Sequence, residues 1–187
     1  MLQDSGYQAV GVDPEAPEGP SYQRAEFEHS DLPQQIDAAV ACTSLHHVAD
    51  PGPALDTIAG RLAPHGAIIV IEWDWESFDE PTARWCFERL GPPGPDDWLH
   101  RLRDEQAASG QDWDQYIRTW ATQEGLHTGQ VMLRELDQRF DRQACNYGPY
   151  FFSDLAGTSE TDEQTAIDAH QIRPTRIHYV GQRRVAH

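Results

Sequence analysis

Two adjacent histidines, His46 and His47, follow the tract Cys42-Thr43-Ser44-Leu45 and stand three residues before Asp50. An imidazole changes charge near neutral pH and can take a proton from a hydroxyl or an amine, so either ring is a candidate general base. The same pair could equally pack against or cap the helix that follows. Joined to Asp50 it would suggest a metal site, but neighbouring ring side chains diverge and no third ligand is evident, so no metal is assigned. Cys42 is either a reactive thiol or a small side chain that leaves room. Further on, Trp73-Asp74-Trp75-Glu76 closes the most apolar run of the chain, and Trp113, Tyr116, Trp120 and His127 follow it. These are candidates for a substrate wall, with Trp73 and Asp74 foremost, although aromatic residues at helical spacing also build ordinary cores.

Composition removes several chemistries. All 14 basic residues are Arg, and the chain has no Lys. Schiff-base enzymes, P-loop nucleotide hydrolases and protein kinases each need a lysine amine and are excluded. A formal charge of -17 works against binding a phosphate backbone, so nucleic acid is not an expected partner. Cys42, Cys86 and Cys145 are widely spaced and fit neither a paired zinc-ligand pattern nor a disulfide framework. Neither a signal-peptide pattern at the N-terminus nor an apolar run of membrane-spanning length occurs, which together with the cysteines predicts a soluble protein of the reducing cytoplasm.

The elements that must carry these residues alternate. QAVGVD reads as a buried strand over 7–12 that ends on Asp13 and is broken by Pro14, and SYQRAEFEH holds a short strand near 22–27. IDAAVAC, residues 36–42, is a continuous apolar run of the kind that parallel strands show when both faces are covered. Leu55, Ile58, Ala59 and Leu62 recur at helical spacing, in a helix closed by Pro64 and Gly66, and AIIVIEW at 67–73 is the strongest strand. Strand, helix, strand predicts a parallel α/β sheet. A helical insertion follows at about 80–127. Then come a strand near 138–146, a helix over TDEQTAIDAHQI with Thr161 as N-cap, and a final strand in TRIHYVGQRR. At 187 residues the chain is expected to form one domain.

The order YQAVGVDP, EHSDLP, IDAAVACTSLHHVADP, ALDTIAGRLAPHGAIIVIE resembles the class I S-adenosylmethionine-dependent methyltransferases that act on small molecules. The resemblance covers residues 6–73 in register. It implies a Rossmann-like sheet with helices on both faces and an antiparallel C-terminal strand pair, with S-adenosylmethionine as cofactor and a small-molecule substrate. Asp13 falls where the family's acidic residue accepts from both ribose hydroxyls; by its own chemistry it could also open a turn before Pro14. A nicotinamide dehydrogenase places an acid similarly, so Asp13 alone does not name the cofactor, but LHHVADP and LAPHG favour the methyltransferase. Glu28 matches the adenine-contacting acid, where the family more often has Asp, and Phe27 beside it could pack on the ring. Cys42 and Thr43 fall at the methionine end, and His46 and His47 at the mouth of the site.

The family opens with a strand, a GxGxG loop and a helix, and this sequence contains no such glycine pattern. The expected sheet is therefore N-terminally truncated, with the absent strand lying between those at 7–12 and 36–42. Three explanations answer to this: a start codon assigned about thirty to forty residues downstream, a remnant that no longer binds cofactor and serves as a non-catalytic binding or scaffolding protein, or a second copy or partner chain that covers the gap.

Overall fold

The computed structural model describes residues 5–94 and 97–184, with the Glu28 side chain outside the description. Four strands form the main sheet: β3 (Ile36–Cys42), β4 (Leu62–Trp73), β5 (Phe140–Gly148) and β6 (Arg176–Arg183), in the order β3-β4-β6-β5. β3 runs parallel to β4, while β6 is antiparallel to both β4 and β5. The parallel unit and the antiparallel C-terminal pair are thus as expected. A separate parallel pair joins β1 (Gly11–Asp13) to β2 (Tyr22–Arg24).

The first strands depart from expectation. The ladder of β1 begins only at Gly11, and Tyr7 and Val10 are exposed rather than buried, because among the described strands β1 has a neighbour on one side alone. β2 stops at Arg24, where the Gln23 amide donates to the Asp31 carbonyl and accepts the Asp31 N–H, closing the following loop. A 3-10 turn then occupies Phe27–His29. β3 has the expected span but not the expected cover on both faces: among the described strands it pairs only with β4, and Val40 is 57% exposed.

Helix α1 (Pro51–Arg61) starts on the Asp50 side chain, which accepts the Gly52 N–H at 3.0 Å, and on Pro51, whose missing donor costs nothing at a first turn. It ends before Pro64 and Gly66, since Leu62 is already extended and paired with Ile36. The Arg61 guanidinium donates to the carbonyls of Leu32 and Pro33, tying this end to the loop behind β2. Leu55 and Ile58 of α1 pack on Ile68 and Val70 of β4 together with Ile177 and Tyr179 of β6.

Met132 and Leu136 complete that core from α5 (Gly129–Arg139), a helix the sequence reading passed over. Its signals are present: Thr128 as N-cap and Met132 with Leu136 one turn apart. Gly129 allows a close approach: a Cβ there would lie 2.6 Å from Asp74 Oδ1 and 2.8 Å from the Ile177 side chain, so those side-chain ends would have to shift. The segment after β4 forms α2 (Glu80–Phe87), α3 (Trp98–Ser109) and α4 (Trp113–Gln123), which enclose a second, aromatic core with α6 (Glu160–Asp168). The N-cap of α6 is Ser159, not Thr161: its side chain accepts the Asp162 N–H while Asp162 accepts the Ser159 N–H, a reciprocal pair that Thr161 cannot make. No helix among the described residues is long and apolar enough to cross a membrane.

Candidate functional site

β3 delivers Cys42, an exposed free thiol, to the C-terminal end of the parallel pair, where ligands of open α/β sheets collect. The chain then turns through Thr43 at φ 50°, a left-handed conformation that strains a β-branched residue by about 1–3 kcal/mol. Its N–H donates to the Ile71 carbonyl at 2.8 Å and its hydroxyl to the Cys42 carbonyl at 2.8 Å, which hold the turn. Leu45–His47 is a 3-10 turn separate from α1, so the histidine pair precedes the helix.

Glu72, next to last in β4, organises this loop. It is fully buried; Oε1 accepts the N–H groups of Ser44 and Leu45, both at 2.8 Å, and Oε2 lies 2.5 Å from His46 Nδ1. The distance is that of a hydrogen bond between the carboxylate and the ring nitrogen, and which of the two ring nitrogens donates depends on the His46 tautomer. The His46 carbonyl accepts the His127 N–H at 2.9 Å, and His127 Nε2 lies 2.7 Å from the Val48 carbonyl, clamping the loop to the segment after α4. His47 packs on the His46 ring at 4.1 Å between centroids but remains exposed. Partial loss of solvation, then the charge of His46, hold its imidazole below the ordinary histidine range.

Beside the loop stands an aromatic wall. Trp73 meets Trp98 at 5.3 Å, Tyr150 at 6.1 Å in a near-parallel stack, Trp120 at 6.2 Å and the edge of His46 at 6.3 Å. Its indole Nε1 is buried with no hydrogen-bond partner among the described residues. The turn that presents Tyr150 is fixed by fully buried Glu163, whose carboxylate accepts the N–H groups of Tyr150, Phe151 and Phe152 at 2.8, 3.2 and 2.7 Å. Burial pushes the Glu163 carboxyl up despite those three donors, and pushes the Tyr150 phenol up, with Glu72 and Asp154 adding to the effect.

The other expected site residues fall elsewhere. Asp74 lies just past the end of β4, at the start of the 3-10 turn Trp75–Ser77. It accepts from the Ser77 hydroxyl at 2.7 Å and lines an open groove of about 590 Å³ with Glu76, Arg134, Arg142 and Tyr147. Trp75 and Trp113 spend their indole donors on the His127 and Phe78 carbonyls. Asp13 ends β1 exposed, with Oδ1 accepting the Glu15 N–H at 2.7 Å, so it does open a turn while Oδ2 bonds to none of the described residues. Phe27 is half-buried against the α1 core, and Glu28 sits in its 3-10 turn with a side chain outside the described residues. The structure therefore brings together His46, His47 and Trp73. It adds Glu72, Trp98 and Tyr150, of which only Glu72 carries a sequence signal, as an acid inside an apolar strand.

The description "Methyltransferase domain" matches residues 1–142. Among solved structures, the chain is similar to an S-adenosylmethionine-dependent methyltransferase from Mesorhizobium loti, at 17% identity and a TM-score of 0.56, over 97% of this chain and 83% of that one. It is also similar to the Burkholderia thailandensis 1,6-didemethyltoxoflavin-N1-methyltransferase, at 12% identity and a TM-score of 0.51, over 98% of this chain and 64% of that one. A search of curated proteins returns no match. At such identities the solved structures speak for the fold alone, but the domain match spans 142 of 187 residues on a sheet of the expected kind, and the chain belongs to the class I S-adenosylmethionine-dependent methyltransferase family.

Proposed function

We propose that the chain transfers a methyl group from S-adenosylmethionine to a small-molecule acceptor, as one domain in which the helical insertion at about 80–127 shapes the acceptor side. The observation that carries this reading is the meeting, at the ends of adjacent parallel strands, of the polar loop 42–47 with the aromatic wall around Trp73. An unpartnered indole N–H costs about 1–3 kcal/mol when buried, and a ligand oxygen or nitrogen would relieve it.

The residues present suit the cofactor's ribose end: Asp13 is exposed, and one of its carboxylate oxygens bonds to none of the described residues and could face a diol. Glu28 and the uncovered part of Phe27 would take adenine, and exposed Cys42 and Thr43 the methionine end. When bound, the cofactor supplies an electrophilic methyl group on a sulfonium. The chain's own part is to align and desolvate the acceptor against Trp73 and to receive its proton on His46 or His47. Its proposed setting is the reducing cytoplasm, where thiols such as Cys42, Cys86 and Cys145 stay reduced.

A non-catalytic binding role on the same fold is the second reading. It is favoured by one fact: among the described residues no ladder joins the sheet bearing Asp13 to the sheet bearing the 42–47 loop. Calorimetry with S-adenosylhomocysteine separates the two. Methyl transfer requires binding with Kd below about 1 mM that weakens at least about tenfold in Asp13→Ala. A folded chain that gives no heat with this ligand supports the binding protein instead.

A further inference from the structure

Resting on the methyl-transfer reading, we infer that Glu72 is a positioning residue that fixes His46 with its proton on Nδ1 and its lone pair on Nε2, making Nε2 the proton acceptor for a hydroxyl or N–H nucleophile. Three observations carry this. First, Oε1 of Glu72 is fully occupied by two backbone donors, which anchors the carboxylate and leaves Oε2 for the ring at 2.5 Å. Second, Nε2 bonds to none of the described residues, and the His46 side chain is only 5% exposed, so an uncommitted ring nitrogen sits largely shielded from bulk water. Third, that ring stands nearly at right angles to Trp73, 6.3 Å between centroids, and the Trp73 indole N–H is itself buried without a partner among the described residues.

Neutral imidazole in water favours a proton on Nε2, so a buried acceptor at Nδ1 is what reverses the preference. The step assigned to His46 balances simply. The acceptor's X–H bond breaks as its electron pair forms the bond to the methyl carbon, the carbon–sulfur pair stays on sulfur, and the proton moves to Nε2. The positive charge brought in by the methyl donor ends on the imidazolium, directly against the Glu72 carboxylate. Acceptors without a proton to lose, such as tertiary amines and thioethers, gain nothing from this arrangement; alcohols, phenols and N–H heterocycles do. The other titratable groups around the pair are His47 on the same turn, Glu124 and His127 from the segment after α4, and Tyr150 from the turn after β5.

The test exploits the asymmetry of an amide. In Glu72→Gln the two backbone donors require the carbonyl oxygen, which leaves the NH2 group facing Nδ1, so His46 must accept there and carry its proton on Nε2. Long-range 1H–15N spectra of the 15N-labelled full chain, taken alkaline enough for neutral rings, read the tautomer directly. The expected result is Nδ1–H in the wild type and Nε2–H in a folded Glu72→Gln. With a panel of small phenols, alcohols and amines, kcat should fall about 10²-fold or more in the variant, while S-adenosylhomocysteine affinity stays within twofold. A wild-type ring protonated on Nε2 overturns the inference, as does an unchanged tautomer in folded Glu72→Gln. If Glu72→Gln fails to fold, the wild-type tautomer and the kcat of His46→Gln decide. Wild-type chain that binds no S-adenosylhomocysteine sinks the methyl-transfer reading itself, whatever the tautomer.

Discussion

His46 and His47 share one turn yet meet different surroundings: the first is buried on a carboxylate, the second exposed on the first ring's face. A lowered pKa in the fold means that the unfolded chain takes up the His47 proton first. The stability tied to neutral His47 is therefore present above 6.5 and is lost as pH falls through the lowered folded value. Proton NMR should place the His47 midpoint below 6.5, and His46→Gln should move it back upward, because the neighbouring charge is gone while part of the desolvation remains. A midpoint unmoved in that variant would assign the whole effect to burial. The two rings also show why residue roles are only partly legible in sequence. The pair was recognisable as chemistry, but the choice between them depends on Glu72, twenty-six residues away, whose approach is a property of the sheet.

At the scale of elements, two buried glutamates repeat one device. Glu72 gathers the 44–46 loop and Glu163 gathers the 150–152 turn, and these two segments flank Trp73 from opposite sides of the sequence. Truncating Glu163 to Ala orphans three N–H groups. The expected cost is about 3 kcal/mol, or roughly 6–12 °C of melting temperature for a chain of this size, measured by thermal unfolding. A melting point within about 2 °C of wild type would mean that water replaces the carboxylate without loss. β3, β4 and the helices α2 to α4 were legible because apolar runs, helical spacing and Gly-Pro punctuation are local signals. α5 escaped because polar residues interrupt its apolar face, and Ser159 because Thr161 offers the same side-chain chemistry two residues later. The short extent of β1 and β2 was illegible for another reason: an apolar run predicts burial only when neighbours exist on both sides.

For the whole molecule, the division into a two-stranded and a four-stranded sheet matters more than any single contact. The halves communicate through Arg61, which reaches the Leu32 and Pro33 carbonyls, and through the turn at Phe27 packed beside α1. Because the chain lacks Lys, trypsin has only Arg24 to cut before Arg61, and Arg24 lies at the end of β2. S-adenosylhomocysteine that touches both Asp13 and the 42–47 loop should slow cleavage at Arg24 more than at sites in α3, as followed by mass spectrometry; equal slowing everywhere would argue against a ligand that spans the two sheets. The missing ladder between the sheets thus gives the ligand a second duty as a crossbeam. If the small sheet is seated only part of the time, the dissociation constant measured is the intrinsic one divided by that seated fraction, and a weak Kd would then report on assembly rather than on the quality of the contacts.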